Sequence, residues 1–157
     1  MPAIQAANLI SDRTSAEDAL RLDYLDLDAW QAFVERHPES TPFHHRAWIE
    51  TIRQQYNLGL LIPCLKRGND IQAAVPFLTA RRVFGGIKIV GLPFTDWLPV
   101  LSVRPGADEA LIDALFHDPP PCSTMSLRTG APLGQARYAT DWVRHEILLD
   151  TSWTTFS

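Results

Sequence analysis

His44 and His45 stand side by side, Asp96 lies between Phe94 and Trp97 in a proline-framed stretch, and Arg82 precedes a Gly85-Gly86 pair. These residue types define the chemistry open to the chain. An imidazole can take or give a proton near neutral pH, or ligate a metal. A carboxylate in a loop can act as a base or hold an amine, or it can fasten a turn by accepting backbone N–H groups. An arginine beside glycines can meet a phosphate, or the glycines can simply make a hairpin. Trp97 can be a platform for a ligand, a contact with a membrane surface, or an anchor that packs the loop.

Some of this chemistry is limited by spacing alone. Adjacent helical residues point about 100° apart, so His44 and His45 are poorly placed to share one metal. Neither is followed by His or Cys three or four residues on, so no metal site is expected. His145 lies beside Glu146 in an alternating run, where a structural histidine is the simpler reading. Cys64 and Cys122 are the two cysteines, with no CxxC, which suits reduced thiols. No GxSxG, P-loop or EF-hand pattern occurs. A net charge of −4 and a pI near 5.7 give no strong signal for nucleic acid, since phosphate binding usually needs a basic face.

The elements that must position these residues follow from periodicity. Apolar residues make up 46% and charged residues 20%, a globular balance over a length suited to one domain. Residues 1–17 read as a flexible lead. No cationic start with an apolar core follows Met1, and no run is long enough for a membrane span, so a cytoplasmic location is expected. Ala19–Tyr24 alternates as a short strand, and Asp28 is expected to cap a helix running to His37. Thr41-Pro42 opens the next helix, in which His45, Trp48, Ile49, Ile52 and Tyr56 share one stripe.

From Leu58 the period becomes extended. LGLLIPCLKR, IQAAVPFLTA and IKIVGL read as three successive antiparallel strands, the first two joined by a tight turn at Gly68-Asn69. Pro63 and Pro76 predict edge positions or bulges. Residues 92–101 form a structured loop leading to a strand over 100–103. A helix opened by Asp108 and Glu109 should bury Leu111, Ile112, Leu115 and Phe116, and strands are expected at 125–127 and 143–149. The fold class expected is α+β, with helices packed on a central, largely antiparallel, twisted sheet.

Pro42-Phe43, Ala47-Trp48, Val75-Pro76 and Leu92-Pro93-Phe94 with Asp96 together resemble the first half of FemAB-like proteins of the GNAT acyltransferase superfamily, which includes peptidoglycan aminoacyltransferases and exopolysaccharide-associated relatives. The likeness spans residues 18–157, which would form a single GNAT-like domain. It implies transfer of an acyl or aminoacyl group to the amine of a cell-envelope precursor or related metabolite. The implied co-substrate is acyl-CoA or aminoacyl-tRNA. Asp96 and His44 are then the candidate catalytic residues, with His45, Phe94, Trp97 and Arg82 as candidate substrate contacts.

One departure from the family pattern bears on function. GNAT enzymes hold pyrophosphate on a Q/R-x-x-G-x-G/A loop that opens a helix. Here Arg82-Val83-Phe84-Gly85-Gly86-Ile87 matches the Arg and first Gly only, and strand follows. Family members also usually carry two GNAT-like domains. The chain is therefore expected to be incomplete alone, pairing with a second GNAT-like half or with another copy of itself. The alternative is a non-catalytic docking module. Either way, the site is expected between the start of the Thr41–Tyr56 helix and the loop carrying Asp96.

Overall fold

The computed structural model describes residues 19–82, 85–95 and 97–129. Along these the order is β1 (Leu20–Tyr24), α1 (Leu27–Val34), a 3-10 turn (Pro42–His44), α2 (Arg46–Gln55), β2 (Gly59–Leu61), β3 (Pro63–Arg67), β4 (Asp70–Ala74), β5 (Phe77–Arg81), β6 (Ile87–Val90), β7 (Leu101–Ser102), α3 (Ala107–His117) and β8 (Thr124–Ser126). The mixed α+β architecture with mainly antiparallel sheets is as the sequence predicts. The expected lead, and the strand expected at 143–149, lie outside the described residues.

A single long hairpin organises the sheets. β3 and β4 meet at a two-residue turn where Gly68 takes φ +56°, the kind of dihedral glycine accepts without a Cβ penalty. Next to the turn, Arg67 faces Asp70 and Lys66 faces Ile71; then the register shifts, and Leu65 faces Ala73. Gln72 is the extra residue of this bulge, and its carbonyl accepts the Val103 N–H at 2.9 Å. Beyond the bulge one register runs through the whole hairpin, from Cys64 facing Ala74 to Gly59 facing Thr79.

That register sets Pro63 opposite Val75 and Pro76 opposite Ile62. Neither proline has an N–H to give the ladder, so the hairpin bends there and its two ends enter different sheets. One sheet has the order β1-β3-β4-β7, the other β2-β5-β6-β8. The prolines thus do not mark edge strands, because β3 and β5 are both internal. They mark the places where each strand passes from one sheet to the other. Residues 73–78 are buried without a break. Since successive strand residues face opposite sides, both faces of the hairpin are covered there.

The helices supply that cover. Asp26, not Asp28, caps α1, accepting the Ala29 N–H at 2.7 Å, and the helix ends at Val34, well before His37. Its Trp30, Phe33 and Val34 are buried with Ile49 and Ile52 of α2. α2 ends in a Schellman motif: Leu58 N–H bonds Arg53 O, Asn57 N–H bonds Gln54 O, and Asn57 sits in the left-handed region. α3 packs across β1, β3, β4 and β7, burying Leu111, Ile112 and Leu115. Phe116, expected on the same face, is exposed. Trp48 is half-buried and so is not a full core residue.

Trp30 has no accessible surface, and its indole N–H donates to the His44 carbonyl at 2.8 Å. Trp30→Phe keeps most of the packing but orphans a buried carbonyl, and should cost about 1–3 kcal/mol. Trp30→Ala also opens a cavity and should cost about 3–5 kcal/mol. Urea unfolding of both variants checks this; a Trp30→Phe protein as stable as the parent would mean the bond contributes nothing.

Candidate functional site

β6 and β8 form the parallel pair among the described strands, with Lys88, Ile89 and Val90 facing Thr124, Met125 and Ser126. A parallel pair needs a long crossover, and here residues 91–123 supply it, carrying β7 and α3. At the carboxyl end of the pair, Gly91 N–H bonds Ser126 O at 2.7 Å. The chain then swings away and returns where Leu98 N–H bonds Arg128 O at 2.9 Å. A loop thus stands out from the carboxyl ends of two parallel strands, the position where α/β sheets commonly form a ligand crevice.

Contacts along α2 and at both its ends hold this loop. The first is His44, whose ring is buried. Its Nε2 lies 3.1 Å from Pro99 O, which can only accept, so Nε2 carries the proton. Its Nδ1 accepts the Thr41 N–H at 3.0 Å, with the Thr41 hydroxyl 2.9 Å away. Burial lowers the pKa of His44 below its ordinary value, favouring this neutral tautomer. The second contact is Trp48 Nε1 to the buried Thr95 hydroxyl at 3.4 Å. The third is a stack of Tyr56 on Phe94, with ring centroids 5.3 Å apart and planes 28° apart.

Phe94 is held in an unusual way. Its φ is +60°, a region costly for a residue with a Cβ, and its side chain is 63% exposed. Tyr56 is also largely exposed, at 53%. A large ring kept in strained backbone, facing water, is the kind of outlier that points to a site. At the opposite end of α2, Phe43 of the 3-10 turn meets Trp48 edge-on with centroids 5.4 Å apart. Pro42, His45, Ala47, Trp48 and Thr51 line an open recess of roughly 550 Å³. This recess and the Tyr56–Phe94 stack make one aromatic-walled face along α2.

The residues singled out in the sequence fall in different places. His45 lines the recess; its exposed ring caps α2, with Nδ1 accepting the Ala47 N–H at 3.2 Å. That breaks the single helix expected from Thr41, because His45 has ψ 139° and separates the 3-10 turn from α2. His44 is therefore turned inward, where its ring nitrogens are engaged by Thr41 and Pro99. Phe94 lies in the crevice loop, and Trp97 is half-buried at its return. Asp96 lies outside the described residues. Arg82 is exposed in the β5–β6 turn, where Gly85 N–H bonds Arg82 O and Arg82 N–H bonds Gly86 O. Strand resumes at Ile87, so no helix start follows these glycines. Arg82 sits at the end of β6 opposite Phe94, a separation on the order of 13 Å for a four-residue strand.

Other chemistry is limited at this face. His45 is the one ionisable residue among those lining the recess. Cys64 is buried in β3, and burial pushes its thiol up to about 11, so it stays protonated and is no nucleophile. Among the described residues, no cluster of His, Cys, Asp and Glu is placed to hold a metal. No helix among them is long and apolar enough to cross a membrane. Tyr56 and Thr95 were not among the sequence candidates. Tyr56 lies past the end of α2, where a helical stripe no longer predicts which way a ring turns, and Thr95 carries no signature of burial.

No family model and no curated protein matches the chain. Three solved structures are similar to it. An acetyltransferase of Trypanosoma brucei is 14% identical over 82% of this chain and 100% of its own, with a TM-score of 0.48. A ribosomal-protein-alanine N-acetyltransferase of Brucella melitensis biovar Abortus is 17% identical over 83% and 99%, with a TM-score of 0.46. A GNAT family acetyltransferase of Staphylococcus aureus is 10% identical over 82% and 99%, with a TM-score of 0.45.

The geometry of Phe94 gives a test independent of any ligand. Phe94→Ala keeps the backbone strain and loses the stack, whereas Phe94→Gly loses the stack but removes the strain. Phe94→Gly should therefore be the more stable of the two by about 1 kcal/mol in thermal or urea unfolding. In a cycle with Tyr56→Ala, a coupling of about 0.5–1.5 kcal/mol is expected. Equal stability of the two Phe94 variants would contradict the strained conformation.

Proposed function

We propose that this chain is an acyl- or aminoacyl-transferase-like domain of the GNAT type, resembling FemAB-like proteins. The observation that carries this reading is the aromatic face where α2, with its recess, meets the loop that follows β6. It coincides with the residues of the family resemblance: Pro42-Phe43 and Ala47-Trp48 lie along the recess, and Leu92-Pro93-Phe94 lies in the loop. The remaining motif, Val75-Pro76, lies at the bend between the two sheets.

In this reading the acceptor is an amine of a cell-envelope precursor or related metabolite, and the donor is an acyl-CoA or aminoacyl-tRNA. The amine nitrogen attacks the donor carbonyl; a C–N bond forms, the C–S or C–O bond breaks, and the thiolate or alkoxide leaves. The proton lost by the amine passes to water or to a base, for which Asp96 and the exposed His45 are the candidates. His44 contributes by holding the loop at Pro99, and Phe94, Trp48 and Trp97 offer apolar surface to the acyl group. Arg82 would meet the donor only if that donor spans β6. A cytoplasmic setting suits both donors.

A second reading, a docking module that pairs with a second GNAT-like half or a partner chain, draws on the β5–β6 turn. With strand following Gly86, that turn lacks the helix start that would receive a pyrophosphate. Calorimetry separates the two readings. Acetyl-CoA or aminoacyl-tRNA should bind saturably, and Trp48→Ala should weaken binding about tenfold or more. Absence of heat with both donors would sink the transferase reading and leave the docking module.

A further inference from the structure

The linker between α1 and α2 is joined to the 99–102 segment through two buried histidines. His37 Nε2 lies 3.0 Å from Ser102 O and its Nδ1 accepts the Glu39 N–H at 3.2 Å. His44 Nε2 lies 3.1 Å from Pro99 O and its Nδ1 accepts the Thr41 N–H at 3.0 Å. His37 is 7% exposed and His44 has no accessible surface. We propose that His44 is a proton-operated latch: neutral, it fastens the crevice loop to the start of α2, and protonated, it lets that loop go.

What the His44 ring faces decides which charge state the site accepts. One nitrogen meets a carbonyl and the other meets a backbone N–H, so only the neutral Nε2–H tautomer satisfies both. A proton added at Nδ1 would oppose the Thr41 N–H and leave only the Thr41 hydroxyl oxygen, 2.9 Å away, to accept it, and the imidazolium would be a charge in a site without water access. The surroundings offer no compensating negative charge. Trp30 of α1, against which the ring packs, and its hydrogen-bond partners Thr41, before the 3-10 turn, and Pro99 of the loop are all uncharged. The ionisable group whose charge acts on His44 is His37, with the same sign when protonated. Around His37 itself, Phe33 packs on the ring, Ser102 offers only its carbonyl, and Glu39 offers only its backbone N–H, its side chain being exposed.

The sign of the pH effect follows. With the latch shut, the His44 pKa is lowered by burial; with it open, the ring returns to an ordinary value of about 6.5. Above that pH both states are neutral and the latch stays shut. As pH falls below it, the open state takes up a proton that the shut state refuses. The opening constant then rises up to tenfold per pH unit until the lowered pKa is reached. The bond released is at Pro99, one residue past the Leu98 return, so opening unfastens the returning end of the crevice loop from the turn before α2. This device does not depend on which ligand the crevice takes.

Amide hydrogen exchange read by NMR tests it on the whole chain. After correction for intrinsic rates, protection of the Thr41 amide should fall up to tenfold per pH unit below about pH 6.5. Protection of Ile52 in the middle of α2 should fall less. In His44→Gln, whose amide can still donate to Pro99 O but does not titrate, the Thr41 profile should become flat. The latch is overturned if wild-type Thr41 protection is constant across this range, or falls in step with Ile52. It is also overturned if a folded His44→Gln protein keeps the wild-type profile. The wild-type measurement decides alone if that variant does not fold.

Discussion

A single buried imidazole determines where the crevice loop lies. The His44 side chain bonds the turn that precedes α2 and, at Pro99, a loop more than fifty residues later in the chain, while its own carbonyl receives the Trp30 indole of α1. Three segments therefore meet at one residue through directional bonds. Each buried polar group there has a partner, which is what keeps a polar residue from destabilising an apolar interior. Besides the ring, the loop and α2 share a long Trp48–Thr95 hydrogen bond and an exposed aromatic stack. Those are weak by comparison, so the shape of the crevice depends on His44.

The two prolines of the central hairpin act one level below this. By withholding two N–H groups at adjacent pairs of the ladder, they let one pair of strands serve two sheets. β5 is then free to pair with β6 in the second sheet, and β6 to pair with β8 in parallel. That parallel pair creates the carboxyl-end crevice, while the first sheet carries α3 and the Ala107, Leu111 and Leu115 core. Polar positioning by His44 and backbone steering by Pro63 and Pro76 thus cooperate. One builds the platform, and the other sets the loop upon it.

Much of the platform was legible in the sequence. Alternation marked β1 and the hairpin, the 3.6 period marked α1, α2 and α3, and the proline interruptions were visible as interruptions. Their meaning was not, because it depends on register. Counting back from the Gly68-Asn69 turn without a bulge sets Pro63 against Ala74; the extra residue at Gln72 moves it to Val75 and brings the two prolines to the same bend. The closeness of the Thr41–Tyr56 segment to the loop after β6 was legible, since His44 meets Pro99 and Trp48 meets Thr95. Individual roles were less so. A wheel drawn through Thr41–Tyr56 assumes one continuous helix, but the break at His45 turns His44 inward and leaves His45 outside, which no periodicity argument distinguishes.

The central proposal is that the face formed by α2 and the loop after β6 is where an acyl donor binds, an acyl-CoA being the simpler of the two candidates to titrate. Its most direct test is a nitrogen-15 NMR titration with acetyl-CoA, following the Trp48 indole and the backbone amides of Thr51, Tyr56 and Thr95. The account predicts that these signals move together and saturate, with α3 left undisturbed. Shifts confined to α3 or β1, or no shift at any donor concentration, would contradict it.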